Sequence, residues 1–302
     1  MKVLISDGIA PEGAKILRDA GIQITEKFFT HDELLANIKD FDGIIVRSAT
    51  KVKKDIIDAG NLKVIARSGV GLDNIDVDYA KSKGIKILNT PGASSVSVAE
   101  LAIAHIFSLS RFLNQSNITM RIGEWNKKQY SNGSELTGKT LGIIGLGAIG
   151  KEVARRGKGL MMNVVAYNKF HQVNDLGTEM LTKDDLLKRA DIITVHIPLS
   201  EDKSPEIGVQ EIDKMKDGVM IINCARGGVV DETALLDALK SGKVSSAAMD
   251  VFQNEPCTDA QSELLALSNV SLTPHIGAST KEAQLRVSLE IAEKVAKELN
   301  KQ

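Results

Sequence analysis

Leu141-Gly142-Ile143-Ile144-Gly145-Leu146-Gly147-Ala148-Ile149-Gly150 decides the fold of this chain. An apolar run leads straight into a G-x-G-x-x-G pattern, and a helical pattern, Ile149–Gly159, follows at once. Each glycine has a physical task in such a turn. Gly145 permits the tight bend, Gly147 lets the backbone approach a pyrophosphate, and Gly150 allows helix and strand to pack closely. A phosphate there meets free N–H groups and the positive end of the helix dipole. The spacing alone is weak, because turns use glycine freely; its place between strand and helix makes it a dinucleotide signal.

Downstream, apolar runs at Asn163–Tyr167, Asp191–Val195, Val219–Asn223, Val244–Met249 and Val270–Leu272 alternate with helical patterns at Thr182–Arg189, Val209–Met215 and Asp231–Lys240. With Leu141–Ile144 they predict a six-stranded, doubly wound parallel-sheet domain. Upstream of Val96 the same alternation recurs. Strands are expected at Lys2–Ser6, Gly43–Val46, Lys63–Ala66 and Ile85–Leu88, and helices at Pro11–Asp19, His31–Ile38 and Lys53–Ala59. Val96 to about Met120 has almost no Gly or Pro and reads as one long helix crossing between domains. Lys281–Leu299 reads as a closing amphipathic helix.

A length of 302 residues is enough for two domains. Lys and Arg number 38 against 39 Asp and Glu, a net charge of −1. That balance argues against a nucleic-acid partner, which calls for a basic excess or stripe. No apolar stretch approaches the ~20 residues of a membrane span, and the apolar run after Met1 is too short for a signal peptide. Two cysteines, Cys224 and Cys257, are too few for a disulfide scaffold or a four-ligand zinc site. A cytoplasmic protein without a metal is expected.

The strand after a dinucleotide loop normally ends in an acidic residue that pairs with the adenosine ribose. Here the position holds Asn168. Asn168 still hydrogen-bonds a ribose hydroxyl but lacks the charge that repels a 2′-phosphate, and Lys169 and His171 stand close by. NAD is the expected cofactor, with NADP or dual use as the alternative; in the plainer reading Asn168 merely ends a strand.

Three segments at predicted strand ends carry further chemistry: Asn223-Cys224-Ala225-Arg226-Gly227-Gly228, Asp250-Val251-Phe252-Gln253-Asn254-Glu255-Pro256, and Leu272-Thr273-Pro274-His275-Ile276-Gly277. Ligands of open α/β sheets bind at such ends. Arg, Glu and His together suit reversible oxidation of a hydroxy acid. The Arg anchors a carboxylate and polarises the C2 oxygen. The His moves the hydroxyl proton. The Glu favours the imidazolium and orients the ring. His31, His105 and His171 lack such a context and read as surface or structural residues. Cys224 and Cys257 lie in no thiolate-stabilising motif.

These segments, with Val46-Arg47-Ser48-Ala49-Thr50, Ala66-Arg67-Ser68-Gly69-Val70-Gly71-Leu72-Asp73, Ser97-Val98-Ala99-Glu100 and Gly123-Glu124-Trp125-Asn126-Lys127, make the chain resemble the D-isomer-specific 2-hydroxyacid dehydrogenases over nearly its whole length. It is nearest to the branch that oxidises D-3-phosphoglycerate. The resemblance implies two doubly wound domains, one flavodoxin-like and one of Rossmann type, with a cleft between them. Residues 1–96 and 279–302 would bind substrate and residues 97–278 the dinucleotide. It assigns catalysis to Arg226, Glu255 and His275. Ala148 and Ile149 would join the three loop glycines at the phosphates, with Asn168 at the ribose and His196, Ile197 and Pro198 along the adenine side. For His196, capping a strand end is the competing reading. Cys224, Ala225, Arg226, Asp250, His275 and Gly277 would lie toward the nicotinamide. Ser68, Gly69, Val70 and Gly71 would receive the substrate carboxylate, Arg47 a 3-phosphate, and Lys127 that phosphate from a partner subunit of a homodimer built on the long helix and Trp125. The implied activity is NAD-dependent oxidation of D-3-phosphoglycerate to 3-phosphohydroxypyruvate, in a short form without C-terminal regulatory domains. The alternatives are a reductase of glyoxylate, hydroxypyruvate or another 2-keto acid, and a cofactor-gated corepressor-like scaffold. The last fits poorly with a chain that has no extended disordered tails.

Overall fold

Strands whose every residue is apolar can be buried on both faces only in a parallel sheet covered by helices, and this arrangement recurs twice. The computed structural model describes residues 1–169, 174–257 and 262–301. Its chain forms two compact units, Met1–Ser95 with Ala278–Gln302, and Val96–Gly277.

In the first unit, strands β1 (Lys2–Ile5), β2 (Gln23–Glu26), β3 (Gly43–Val46), β4 (Val64–Arg67) and β5 (Lys86–Leu88) form a parallel sheet of order β2-β1-β3-β4-β5. This is the flavodoxin-like doubly wound order. Successive side chains point to opposite faces: Leu4, Ile44, Val46 and Ile65 enter one core, Val3, Ile5, Ile45 and Val64 the other. Helices α1 (Pro11–Asp19), α2 (His31–Asn37), α3 (Lys54–Ala59) and α4 (Val77–Ser82) connect the strands, and α12 (Lys281–Leu299) returns to pack with α1. Strand β2 was not expected. It sits at the sheet edge with the sequence QITE, which carries one strongly apolar residue. Helix α4 is too short for a helical period to show.

The second unit carries β6 (Thr140–Ile144), β7 (Asn163–Tyr167), β8 (Glu179–Met180), β9 (Ile192–Val195), β10 (Val219–Asn223), β11 (Val244–Met249) and β12 (Val270–Leu272). They form a parallel sheet of order β12-β11-β10-β9-β6-β7-β8. The expected six strands become seven, because β8 is an exposed two-residue edge that no apolar pattern marks. Chain order reverses between β6 and β9, the switch point at which doubly wound sheets bind ligands beyond their strand ends. Helices α7 (Ala148–Gly159), α8 (Lys183–Arg189), α9 (Val209–Lys214), α10 (Glu232–Ser241) and α11 (Ser262–Ala266) link the strands.

The expected single helix from Val96 to Met120 is two helices. α5 (Ser95–Ser110) and α6 (Leu113–Arg121) meet at a bend of 65°. Phe112 takes the left-handed conformation, φ 54°, and its ring packs 5.9 Å from that of Tyr130. Beyond the bend the side-chain amides of Asn114 and Gln115 bond Ser271 Oγ and the Ser268 carbonyl. Tertiary contacts turn the chain where no Gly or Pro does. α5 keeps Ala99, Ala102, Ile106 and Leu109 on the sheet. Among the described residues no single helix is long and apolar enough to cross a membrane.

Candidate active site

The glycine loop is built by close approach. Gly145 has φ 99°, and a Cβ there would lie 2.6 Å from the His196 carbonyl oxygen; one on Gly150 would collide with the Gly145 carbonyl. Gly147 precedes the first turn of the twelve-residue α7 with no side chain capping it, so the leading N–H groups stay open to an anion. These features fit a dinucleotide pyrophosphate.

Asn168 serves the loop itself: Leu146 N–H donates to Asn168 Oδ1 at 2.6 Å. The amide oxygen thus serves the loop, and Nδ2 remains as the side chain's donor for the ribose hydroxyl expected there. Lys169 is exposed, and His171 lies outside the described residues. His196 shares a hydrogen bond of 2.9 Å between Nε2 and Thr194 Oγ1, while its buried Nδ1 has no partner among the described residues. Burial pushes this imidazole down to about 3, so it is neutral. Cys224 is buried, and desolvation together with the Asp250 carboxylate raises its thiol. It is no nucleophile.

Arg226 follows β10 on a turn shaped by Asn223, which is fully buried. Asn223 Oδ1 accepts from Ala225 N–H and its Nδ2 donates to the Arg226 carbonyl, both at 3.1 Å. Arg226 Nη1 donates to the Ala225 carbonyl at 2.7 Å. A side chain on Gly227 would overlap the Phe252 carbonyl, so the turns after β10 and β11 touch. Across that contact Phe252 N–H donates to Glu255 Oε1 at 3.0 Å, and Glu255 Oε2 lies 2.7 Å from His275 Nδ1. A carboxylate only accepts, so Nδ1 carries a proton and Nε2 is the ring atom left to exchange one. Among the described residues Nε2 has no partner. The side chains of His275 and Glu255 are 47 % and 35 % exposed, accessible to a ligand. A cavity of about 460 Å³, walled largely by Phe252, Pro256, Leu265, Leu272 and Pro274, adjoins the pair.

His275 has φ 54°, a conformation costing a non-glycine residue about 1–3 kcal/mol. Asp250 holds it there. Its buried carboxylate accepts from Thr273 Oγ1 at 2.6 Å and Ile276 N–H at 2.8 Å on Oδ1, and from Gly277 N–H at 2.8 Å on Oδ2. Asp250 thus fixes the segment that bears the histidine, a task the sequence reading, which set it beside the nicotinamide, did not foresee. Nor did it single out Asn223 or Thr273. A polar residue ending an otherwise apolar strand, as Asn223 ends Val-Met-Ile-Ile-Asn, is the signal that marks such a group.

In the first unit, the loop after β4 runs through Ser68, Gly69, Val70 and Gly71. It is pinned by Ser68 N–H to the Val46 carbonyl, Thr90 N–H to Gly69 O, and Asn89 Nδ2 to Val70 O. The N–H groups of Val70 and Gly71 have no hydrogen-bond partner among the described residues. Arg47, after β3, donates its backbone N–H to Asp7 Oδ2 at 2.6 Å and its Nη1 to the amide oxygen of Gln284 at 2.9 Å, and among the described residues its guanidinium pairs with no carboxylate. Lys127 is exposed beyond α6. Of the remaining histidines, His31 meets Asp55 on the surface at 2.8 Å and His105 is buried.

Residues 103–277 match the family model described as "D-isomer specific 2-hydroxyacid dehydrogenase, NAD binding domain". The chain belongs to the D-isomer specific 2-hydroxyacid dehydrogenase family, an oxidoreductase family, and its second unit is that family's NAD-binding domain. Over 301 residues it is 48 % identical to a hydroxypyruvate reductase of Thermotoga maritima, covering 99 % of this chain and 98 % of that one. It is 44 % identical to a D-3-phosphoglycerate dehydrogenase of Archaeoglobus fulgidus, covering 98 % of this chain but only 56 % of the relative. The crystal structure of a glyoxylate reductase from Paecilomyes thermophila superposes with a TM-score of 0.89 at 32 % identity, covering 98 % and 94 % of the two chains.

Proposed function

We propose that this chain oxidises D-3-phosphoglycerate to 3-phosphohydroxypyruvate with NAD, the first step of phosphorylated serine biosynthesis. One observation carries the choice of substrate: the Arg47 guanidinium rests on a neutral amide, so its charge stays available to a phosphate. The chemistry falls to Arg226, Glu255 and His275. His275 Nε2 takes the C2 hydroxyl proton, and Glu255, already facing Nδ1, stabilises the imidazolium that forms. NAD, when bound, would supply the acceptor for the hydride released from C2. Arg226 polarises the C2 oxygen, and the Val70 and Gly71 N–H groups receive the substrate carboxylate. The first turn of α7 would hold the cofactor phosphates, and Asn168, His196, Ile197 and Pro198 its adenosine half.

The near-full-length similarity to a hydroxypyruvate reductase favours a second reading, in which the same residues reduce an unphosphorylated 2-keto acid. Initial rates with D-3-phosphoglycerate and D-glycerate as substrates for NAD reduction separate the two. At least a tenfold higher kcat/KM for the phosphorylated acid is expected from one charge-assisted contact. The opposite order would overturn the phosphoglycerate reading and leave the reductase.

The working unit is a homodimer. Leu113, Ile118, Met120, Ile122 and Trp125 are large apolar side chains 52–75 % exposed within thirteen residues, a segment that a second copy would cover, bringing Lys127 to its neighbour's phosphate. A chain with only two cysteines, too few for a disulfide scaffold, suits a reducing cytoplasm.

A further inference from the structure

We propose that His105 is a positioning residue for His275, acting through a one-way chain of buried hydrogen bonds; the inference rests on reading His275 as the proton carrier. His105 sits on the core face of α5, 3 % exposed, with Nδ1 2.9 Å from Ser271 Oγ and Nε2 3.1 Å from Thr273 Oγ1. Chemistry alone sets the direction of the chain. The Asp250 carboxylate accepts only, so the Thr273 hydroxyl proton goes to Oδ1 at 2.6 Å. The Thr273 oxygen is then the acceptor, and His105 Nε2 must carry a proton. In the neutral ring Nδ1 accepts from the Ser271 hydroxyl, whose oxygen in turn accepts from Asn114 Nδ2 at 2.9 Å. One arrangement satisfies every donor and acceptor. Burial lowers the His105 imidazole against the opposing pull of Asp250, which agrees with the neutral tautomer.

The far end of this chain is the segment bearing the proton carrier. Thr273 opens it, and Ile276 and Gly277 close it on the same carboxylate, with His275 between them in a left-handed conformation. Without the His105 Nε2–H, the Thr273 oxygen loses the donor that holds and polarises it, and one of the three bonds fixing the segment to Asp250 weakens. A residue that only filled the core would lack this directional role.

His105→Phe keeps a ring and removes both bonds; His105→Gln keeps one donor and one acceptor. On whichever hydroxy acid the enzyme turns over faster, His105→Phe should lower kcat about tenfold, the scale of one hydrogen bond, with NADH affinity by fluorescence unchanged within about twofold. His105→Gln should recover most of the loss. In a Thr273→Val background His105→Phe should cost less than about twofold more, because the chain is already cut. Wild-type kcat in His105→Phe overturns the proposal, and so does a full further loss in the Thr273→Val background. Should His105→Phe not fold, His105→Asn, too short to bridge both hydroxyls, replaces it in both comparisons. His275→Ala tests the underlying reading separately and should lower kcat about 10²–10⁴-fold. Activity surviving that change would place the failure in the role of His275 rather than in the network.

Discussion

Replacing Asn168 by Asp changes one atom's character at the edge of the cofactor loop. In the native side chain Oδ1 accepts from Leu146 N–H at 2.6 Å and Nδ2 is a donor. A carboxylate keeps the first bond, so the loop geometry should hold. The second position turns from donor to charged acceptor, which suits the two hydroxyls of an NAD ribose and repels a 2′-phosphate. A hydrogen bond to a charged group contributes about 1.5–3 kcal/mol, or about 10- to 150-fold. Asn168→Asp should therefore raise the ratio of kcat/KM for NAD over NADP by at least tenfold, measured from initial rates with the hydroxy acid saturating. Asn168→Leu provides the control: it strips the bond from Leu146 N–H and should weaken both cofactors alike. An unchanged ratio in Asn168→Asp would refute the reasoning and show that the second position does not face the ribose.

Arg47→Ala should raise KM for D-3-phosphoglycerate about tenfold while activity on D-glycerate barely changes; equal losses on both would make Arg47 structural. His196, with an imidazole pushed down to about 3 from 6.5, binds its proton first in the unfolded chain as pH falls. Its contribution to stability is complete above about pH 6.5 and is lost progressively below, so wild type should lose about 2 kcal/mol more than His196→Phe between pH 7 and pH 5 in urea titrations. Sedimentation at assay concentration should show a dimer or a multiple of it, and a fully active monomer would remove both the apolar interface and the role of Lys127.

Where burial alone decides, the sequence was sufficient. Gly43–Val46 is apolar throughout, and Val219–Asn223 is apolar up to its last residue, because helices cover both faces of their sheets, and the bounds of both coincide with the strands. The glycine loop was equally legible, since backbone crowding at Gly145 and Gly150 excludes any side chain whatever lies around it. The placement of Arg226, Glu255 and His275 just past strand ends was legible too, because strand ends of a parallel sheet gather on one side. The edge strands β2 and β8, by contrast, owe their form to a neighbour's hydrogen bonds and show no apolar pattern.

Polar groups buried in the second unit were settled only by tertiary structure. Local sequence showed an unbroken helix through Phe112, but packing on Tyr130 and bonds from Asn114 and Gln115 bend it. Nothing beside Asn168 in the chain indicates that its oxygen is taken by Leu146 N–H. His105 looks like a stray polar residue on an apolar stripe until Ser271 and Thr273, more than 160 residues away, are set against its two nitrogens. The physical reason is one of range. Burial of apolar surface is nearly non-directional, so composition along a segment records it. A hydrogen bond requires a specific atom at about 3 Å, and only the folded chain supplies that partner.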